Sequence, residues 1–439
     1  MRVPLLVAVL ALGLISACAR HETPIFTGEP YLLVWAGDAD RQNADFLALI
    51  DADPTSSTYG KVLRTYPVRS RGNEPHALTP VRADGRVFGS GILANRIFLF
   101  DLRKPLAARL LHVDEAAAGR GLSAPQEGVS LPNGHVVVAC PDRAGYRGDP
   151  REVVGAGGGL VELDADGQFV HEVSADDPEA HGLVIAPYGV TLAGNRIVTT
   201  NNGHGWAASN RGERMPGISV QIWRANELKL LKTVILDAGP RGEENLAPLA
   251  PRAAHRGPMV YVNTDLGGAL YASDSIGTAY PAFRLVFDFG QGSLPGGASI
   301  TPDDRFYVTT LTGRGRVASL DLGDPYAPKA VSSVRLDGGA PDANPAPHHL
   351  AMSADGTRVA VSDYTASVPG FTQEGDHRVH VVRLDPATGR LRLDTAFRDE
   401  ATGAVGVDFN RTTWPHGATG PARPAGLLFL SEIRSKDED

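Results

Sequence analysis

The sequence predicts an all-β chain closed as a seven-bladed β-propeller, on three observations. Glycine and proline are abundant, at 50 and 32 residues, and spread along the whole chain, which suits many short strands joined by turns. An apolar strand pattern with Asp-Gly or Asn-Gly turns recurs in seven units of about 35 to 50 residues, the period of a four-stranded propeller blade. No long amphipathic helical pattern competes with it. One such sheet cannot bury both faces alone, and packing blades in a ring does so. The 439 residues, enough for two domains by size, are therefore read as one propeller domain over residues 31–431, followed by a polar tail over residues 432–439.

In chain order, residues 1–18 read as an address label. "MRVPLLVAVLALGLISAC" carries one basic residue, Arg2, then an apolar stretch that is short for a membrane span and fits a signal-peptide core. Small residues before Cys18 resemble a bacterial lipobox, in which that cysteine is lipidated and becomes the mature N-terminus. Ala19 follows, rather than an aspartate that would retain the protein at the inner membrane. The expected destination is the periplasmic face of the outer membrane of a Gram-negative host, with the lipid as the only membrane attachment. Residues 19–30 read as a tether. No other segment is long and apolar enough to span a bilayer.

The first unit is "YLLVWAGDAD" with "DFLALIDADPTSSTYGKVLRTYPV". The second, over residues 82–113, is the clearest: "RADGRVFGSGILANRIFLFDLRKPLAARLLHV". "LPNGHVVVAC" then leads to "GGLVELDADGQFVHEV", and "LAGNRIVTTNN" to "ISVQIWRANELKLLKTVIL". "GPMVYVNTDLGGALYASDS" precedes "AFRLVFDFG", "TPDDRFYVTT" precedes "GRVASLDLGDPYAPKAVSSVRL", and "SADGTRVAVSDY" precedes "HRVHVVRLDPATGRLRLDTAF". The terminal run "GLLFL", residues 426–430, is expected to return to the first unit and close the ring.

Composition narrows the function classes. The formal charge is −8 with no run of Lys or Arg, so a nucleic-acid or anionic-membrane footprint is not expected. Apart from Cys18 the chain has one cysteine, Cys140, which cannot form an internal disulfide. It ends a strand of valines and is expected to be buried and inert.

A proline frame recurs where the first strand of each unit, nearest the channel, begins. It reads Pro75-His76, Pro125-Gln126, Pro187-Tyr188, Pro295-Gly296, Pro347-His348 and Pro415-His416. Proline suits a strand start, where its missing N–H is least harmful. Ring repetition would bring its successors together at one end of the channel. That aligns His76, His348 and His416 as candidate metal ligands. Neighbouring side chains on a strand point to opposite faces, so one of His348 and His349 is expected to face the site. The alignment selects His348, leaving His349 to pack between blades or cap a backbone group. Converging neutral imidazoles suit copper, zinc, nickel or iron, and three ligands leave a position for substrate or water. Gln126, Glu127, Tyr188 and His349 are expected to surround and support the site, and Glu74 lies beside the same frame.

Other motifs point elsewhere. "GAGGGL", residues 155–160, is followed by a strand pattern rather than the helix a phosphate loop needs. Asp51 and Asp53 are expected to end a strand and bind its turn. His204 and Trp206 lie on a predicted surface loop. There is no convincing serine nucleophile elbow.

"DFLALIDADPTSSTYGKVLRTYPV", "EPHALTP" and "ANRIFLFDLRKPLAARLLHV", with "PHHLAMSADGTRVAVSDY" near the C-terminus, resemble the selenium-binding protein/methanethiol oxidase family over about residues 31–430. The resemblance implies a seven-bladed propeller and, in characterised relatives, a periplasmic copper enzyme. That enzyme oxidises methanethiol with oxygen to formaldehyde, hydrogen sulfide and hydrogen peroxide, with channel histidines as copper ligands. The selenium-associated cysteine of animal relatives falls at Tyr59-Gly60 here, which excludes selenium attachment at that position. The family has a histidine where this chain has Gln126 and another near Ala425, a departure that weakens or alters the implied site. Two readings follow: a copper-dependent oxidase of small thiols, or a non-catalytic ligand- or protein-binding lipoprotein with a degenerate metal site. A lactonase-like calcium propeller would need acidic or amide ligands that the repeated frame does not supply.

Overall fold

Strands such as "YLLVWAGD" lack the alternation of a half-exposed sheet because both of their faces are covered. In the computed structural model Leu32, Val34 and Ala36 enter one buried cluster while Leu33 and Trp35 enter another. The model describes residues 28–115, 121–143, 157–180, 182, 183, 185–203, 216–340, 342–364 and 374–432. Cys18, His204 and Trp206 lie outside the described residues. Seven four-stranded antiparallel sheets are arranged as propeller blades, the sixth with a short added strand.

Blades one to six start at inner strands Pro75–Leu78, Gly128–Ser130, Pro187–Ala193, Pro248–Ala253, Pro295–Ile300 and His349–Met352. In the seventh, the C-terminal strand Ala422–Leu430 is the inner strand and pairs antiparallel with Tyr31–Asp38, followed by Phe46–Asp51 and Val62–Pro67. The two chain ends thus share one sheet, with Tyr31 opposite Leu430 and Leu33 opposite Leu428. Each hydrophobic cluster lies between two adjacent blades; Cys140, with Phe88 and Leu99, sits between blades one and two. Burial pushes its thiol pKa upward, consistent with an inert side chain. Among the described residues no helix is long and apolar enough to cross a membrane.

Asp51 ends its strand and accepts hydrogen bonds from Ser56 and Thr58 in the turn. Arg358 of blade six reaches back to the N-terminal segment, donating to Ala52 O at 2.6 Å and Glu29 O at 2.9 Å.

Four of the inner-strand starts share a backbone feature. Glu74, Ala124, Ala247 and Leu294, each just before the frame proline, adopt positive φ of 54°, 59°, 58° and 49°. Left-handed backbone is unfavourable for these residue types, and its repetition marks a conformation that the ring imposes.

Neighbouring inner strands approach so closely that a side chain is excluded at Gly426. A Cβ there would lie 2.7 Å from His76 O and 2.8 Å from Leu78 N. Gly426→Val is expected to lower unfolding free energy by about 1–3 kcal/mol. Gly277→Val, with nothing within 4 Å of the added Cβ, is expected to stay within about 0.5 kcal/mol. Denaturant unfolding of the two variants checks the contrast.

Candidate metal centre

The inner-strand register decides which side chains meet. Pro75 pairs with Gly91 and Leu78 with Gly89, so His76 and Ala77 together oppose Ser90. The same two-against-one β-bulge follows Pro187, Pro248 and Pro295. In blade six His348 donates its N–H to Ser362 O at 3.1 Å while His349 is also paired with Ser362. A bulge leaves one N–H outside the ladder. Polar side chains of the second strand take it up: Ser90 Oγ accepts from Ala77 N at 3.0 Å, Thr200 Oγ1 from Gly189 N at 2.9 Å and Asn263 Oδ1 from Ala250 N at 2.8 Å. This explains why Ser90, Thr200 and Asn263 are polar yet buried.

A bulge also breaks strict alternation, and here it overturns an expectation. His349 does not pack away from His348. One ring nitrogen from each of His76, His348 and His349 lies within 4.8 Å of the others. The ring centroids of His76 and His349 are 4.6 Å apart, and those of His348 and His349 4.8 Å apart.

His416, in contrast, lies outside this cluster. Its Nδ1 is 2.8 Å from Thr65 Oγ1 on the outermost strand of blade seven, and its ring packs 4.9 Å from Phe46. The frame assignment fails there because Pro415-His416 sits in the Trp414–Gly417 turn, closed by Gly417 N to Trp414 O at 2.9 Å. The inner strand of blade seven instead carries Pro424-Ala425. Blade four carries Pro248-Leu249, a further frame pair with no donor side chain. The shared signal was present: in Pro187-Tyr188-Gly189, Pro295-Gly296-Gly297 and Pro424-Ala425-Gly426 a glycine follows the frame pair.

Tyr188 reaches the cluster from blade three. Its hydroxyl is 2.8 Å from His76 Nε2 and 3.4 Å from His348 Nε2. Gln126 is buried, donates Nε2 to Ala124 O at 3.1 Å, and leaves Oε1 without a partner. Glu127 forms a two-pronged ion pair with Arg252 of blade four at 3.1 and 3.2 Å. Arg252 Nε also donates to Ala298 O at 2.6 Å. The pair joins blades that are not neighbours in the ring.

The adjacent residues Asp363 and Tyr364 hold both histidine-bearing strand starts. Asp363 Oδ1 accepts from Ala346 N, two residues before His348. Tyr364 donates to Glu74, the residue two before His76, and Arg41 pairs with the other Glu74 oxygen at 3.2 Å. Burial raises the Asp363 pKa to about 7.

Burial also keeps the imidazoles neutral. The His76 pKa is lowered to about 3 by burial and by His348. His348 is lowered by burial, against the opposing charges of Asp265 and Glu127. His349 is also held well below its ordinary value, by burial, its two histidine neighbours and Arg252. Neutral imidazole is the metal-binding form. Ligand bonds of about 2.0–2.1 Å require donor atoms roughly 3–4 Å apart. The cluster therefore fits a nitrogen-liking ion such as copper or zinc after side-chain shifts of about an ångström.

Comparison with known proteins agrees with this architecture. No family model matches the chain. It is 27% identical over 341 residues to methanethiol oxidase of Hyphomicrobium sp, covering 72% of each chain. Methanethiol oxidase of Ruegeria pomeroyi is 26% identical over 353 residues, covering 73% of this chain and 77% of that protein. The chain is thus similar, over most of its length, to curated proteins named methanethiol oxidase. A hypothetical selenium-binding protein from Sulfolobus tokodaii superposes with a TM-score of 0.70 at 18% identity, over 92% of this chain and 94% of that one. A periplasmic gluconolactonase of Pseudomonas aeruginosa gives 0.59 at 14% identity, over 91% and 99%. These two likenesses concern the fold alone.

The fold leaves no room for a cysteine at position 60. Gly60 has φ of 91°, and a Cβ there would lie 2.2 Å from Arg398 O.

The buried imidazoles give a signed pH dependence. The unfolded His76 titrates near 6.5 and the folded one near 3, so the unfolded state takes up the extra proton. Its contribution is present above about pH 6.5 and is lost as pH falls towards 3, with a slope approaching about 1.4 kcal/mol per pH unit. Metal-free wild type should therefore lose stability between pH 6.5 and 5 more steeply than His76→Phe. Urea unfolding at several pH values checks this; parallel profiles would contradict it.

Proposed function

We propose that the chain is a copper-dependent oxidase of small thiols, acting on methanethiol or a close analogue. The convergence of His76, His348 and His349 carries this reading, supported by homologues named methanethiol oxidase. The three imidazoles would hold the copper. Bound copper would supply a soft, redox-active centre that favours the thiolate form of the substrate and its oxidation by oxygen. The overall conversion balances as methanethiol, dioxygen and water giving formaldehyde, hydrogen sulfide and hydrogen peroxide. Leu249, Gly296 and Ala425, at other frame positions of the ring, bring no charge and suit a methyl group. The Arg252–Glu127 pair would keep the Arg252 cation from standing unpaired beside the ion.

The N-terminal reading is part of the proposal. Lipidation at Cys18 would anchor the propeller to the periplasmic face of the outer membrane, with no nucleic-acid role. A second reading, a non-catalytic ligand- or protein-binding propeller with a degenerate site, is favoured by Gln126 and Ala425, frame positions that bring no imidazole.

Elemental analysis of full-length protein matured in the periplasm, with an oxygen electrode, tests the two. The oxidase reading expects about one copper per chain, oxygen uptake on adding methanethiol, and loss of both in His348→Ala. His416→Ala should keep both. Protein that takes up no copper and ignores methanethiol would favour the binding reading.

A further inference from the structure

We propose that Tyr188 is a fourth donor to the ion held by His76, His348 and His349, binding it as phenolate. This rests on the metal reading above and concerns a residue to which sequence reasoning gave only a supporting place. Tyr188 projects from blade three, while the histidines come from blades one and six. It crosses the channel to reach them.

The distances fit shared ligation. Two donors bound to one ion at about 2.0 Å lie about 2.8 Å apart at right angles and about 3.3 Å apart at the tetrahedral angle. The Tyr188 hydroxyl is 2.8 Å from His76 Nε2 and 3.4 Å from His348 Nε2. The same nitrogen of each ring is therefore turned towards one oxygen. In the metal-free protein the phenol hydroxyl fills that space and shares a hydrogen bond with a neutral imidazole. On metal binding the proton leaves to buffer, an oxygen–metal bond replaces the hydrogen bond, and the imidazole lone pair turns to the ion.

The remaining frame positions narrow the choice. Leu249, Gly296 and Ala425 have no donor side chain. Gln126 uses its amide nitrogen on Ala124 O, and an amide oxygen is a poorer partner for copper than imidazole. Among the frame residues other than the histidines, Tyr188 thus offers the best donor to copper. An anionic oxygen would favour Cu(II) over Cu(I) relative to a site of imidazoles alone.

The test loads full-length wild type and Tyr188→Phe with Cu(II) under nitrogen, without substrate, and reads copper content, affinity and the visible spectrum. The expected result is a phenolate-to-copper charge-transfer band in wild type. Tyr188→Phe should lose the band, still bind copper, and bind it about ten- to a hundredfold more weakly. Resonance Raman of the wild type alone should show tyrosinate vibrations in that band, which keeps the test decisive if the variant folds poorly. If copper binds in a manner lost in His348→Ala but no phenolate band exists, or the band survives in Tyr188→Phe, the Tyr188 assignment is wrong and the three-histidine site stands. If wild type binds no copper, both fall.

Discussion

The pairing of the last strand with the first is the constraint on which the rest depends. Ala422–Leu430 completes the sheet that Tyr31–Asp38 begins. Without it the chain would be a row of sheets with two bare ends, each exposing an apolar face and an unpaired edge. With it, His76 and His348, hundreds of residues apart in sequence, become near neighbours around one axis. The blade between them contributes Ala425 and Gly426. That blade must also be thin at the channel: the position 2.7 Å from His76 O is a glycine.

Closure brings strands together, but a bulge decides which side chains reach the channel. Regular pleating sends His348 and His349 to opposite faces. Two residues opposite Ser362 bring both into the cluster. The same bulge demands a buried polar group on the second strand of several blades, so a need of the backbone writes Ser90, Thr200 and Asn263 into an otherwise apolar interior. The left-handed residues before the frame prolines belong to the same device. Of these, Glu74 leads directly into the His76 strand start, so the close packing that holds its backbone also holds that imidazole in place.

The blades were legible in the sequence because turns and β-branched runs are local signals. "GLLFL" was legible as the closing strand because nothing else at that end could complete the first unit. His76 and His348 were legible because proline marks a strand start and the ring makes starts equivalent. His416 misled because its dipeptide matches the frame while its surroundings form a turn bonded to Thr65. The true seventh position, Pro424-Ala425, carries no donor side chain, and the resemblance marked only the neighbourhood of Ala425, not its place in the frame. His349 was hidden by the period-two rule, which holds for regular strands and fails at a bulge. The Arg252–Glu127 pair and the Asp363–Tyr364 dipeptide link blades far apart in sequence, and no local pattern announces such partners.

The central claim is that imidazoles from blades one and six share one ion at the channel. Anomalous diffraction from crystals of copper-loaded protein, recorded on either side of the copper edge, tests it most directly. One strong peak is expected within bonding distance of His76, His348 and His349. A peak at His416 instead, or copper uptake in solution with no peak at the channel, would contradict it.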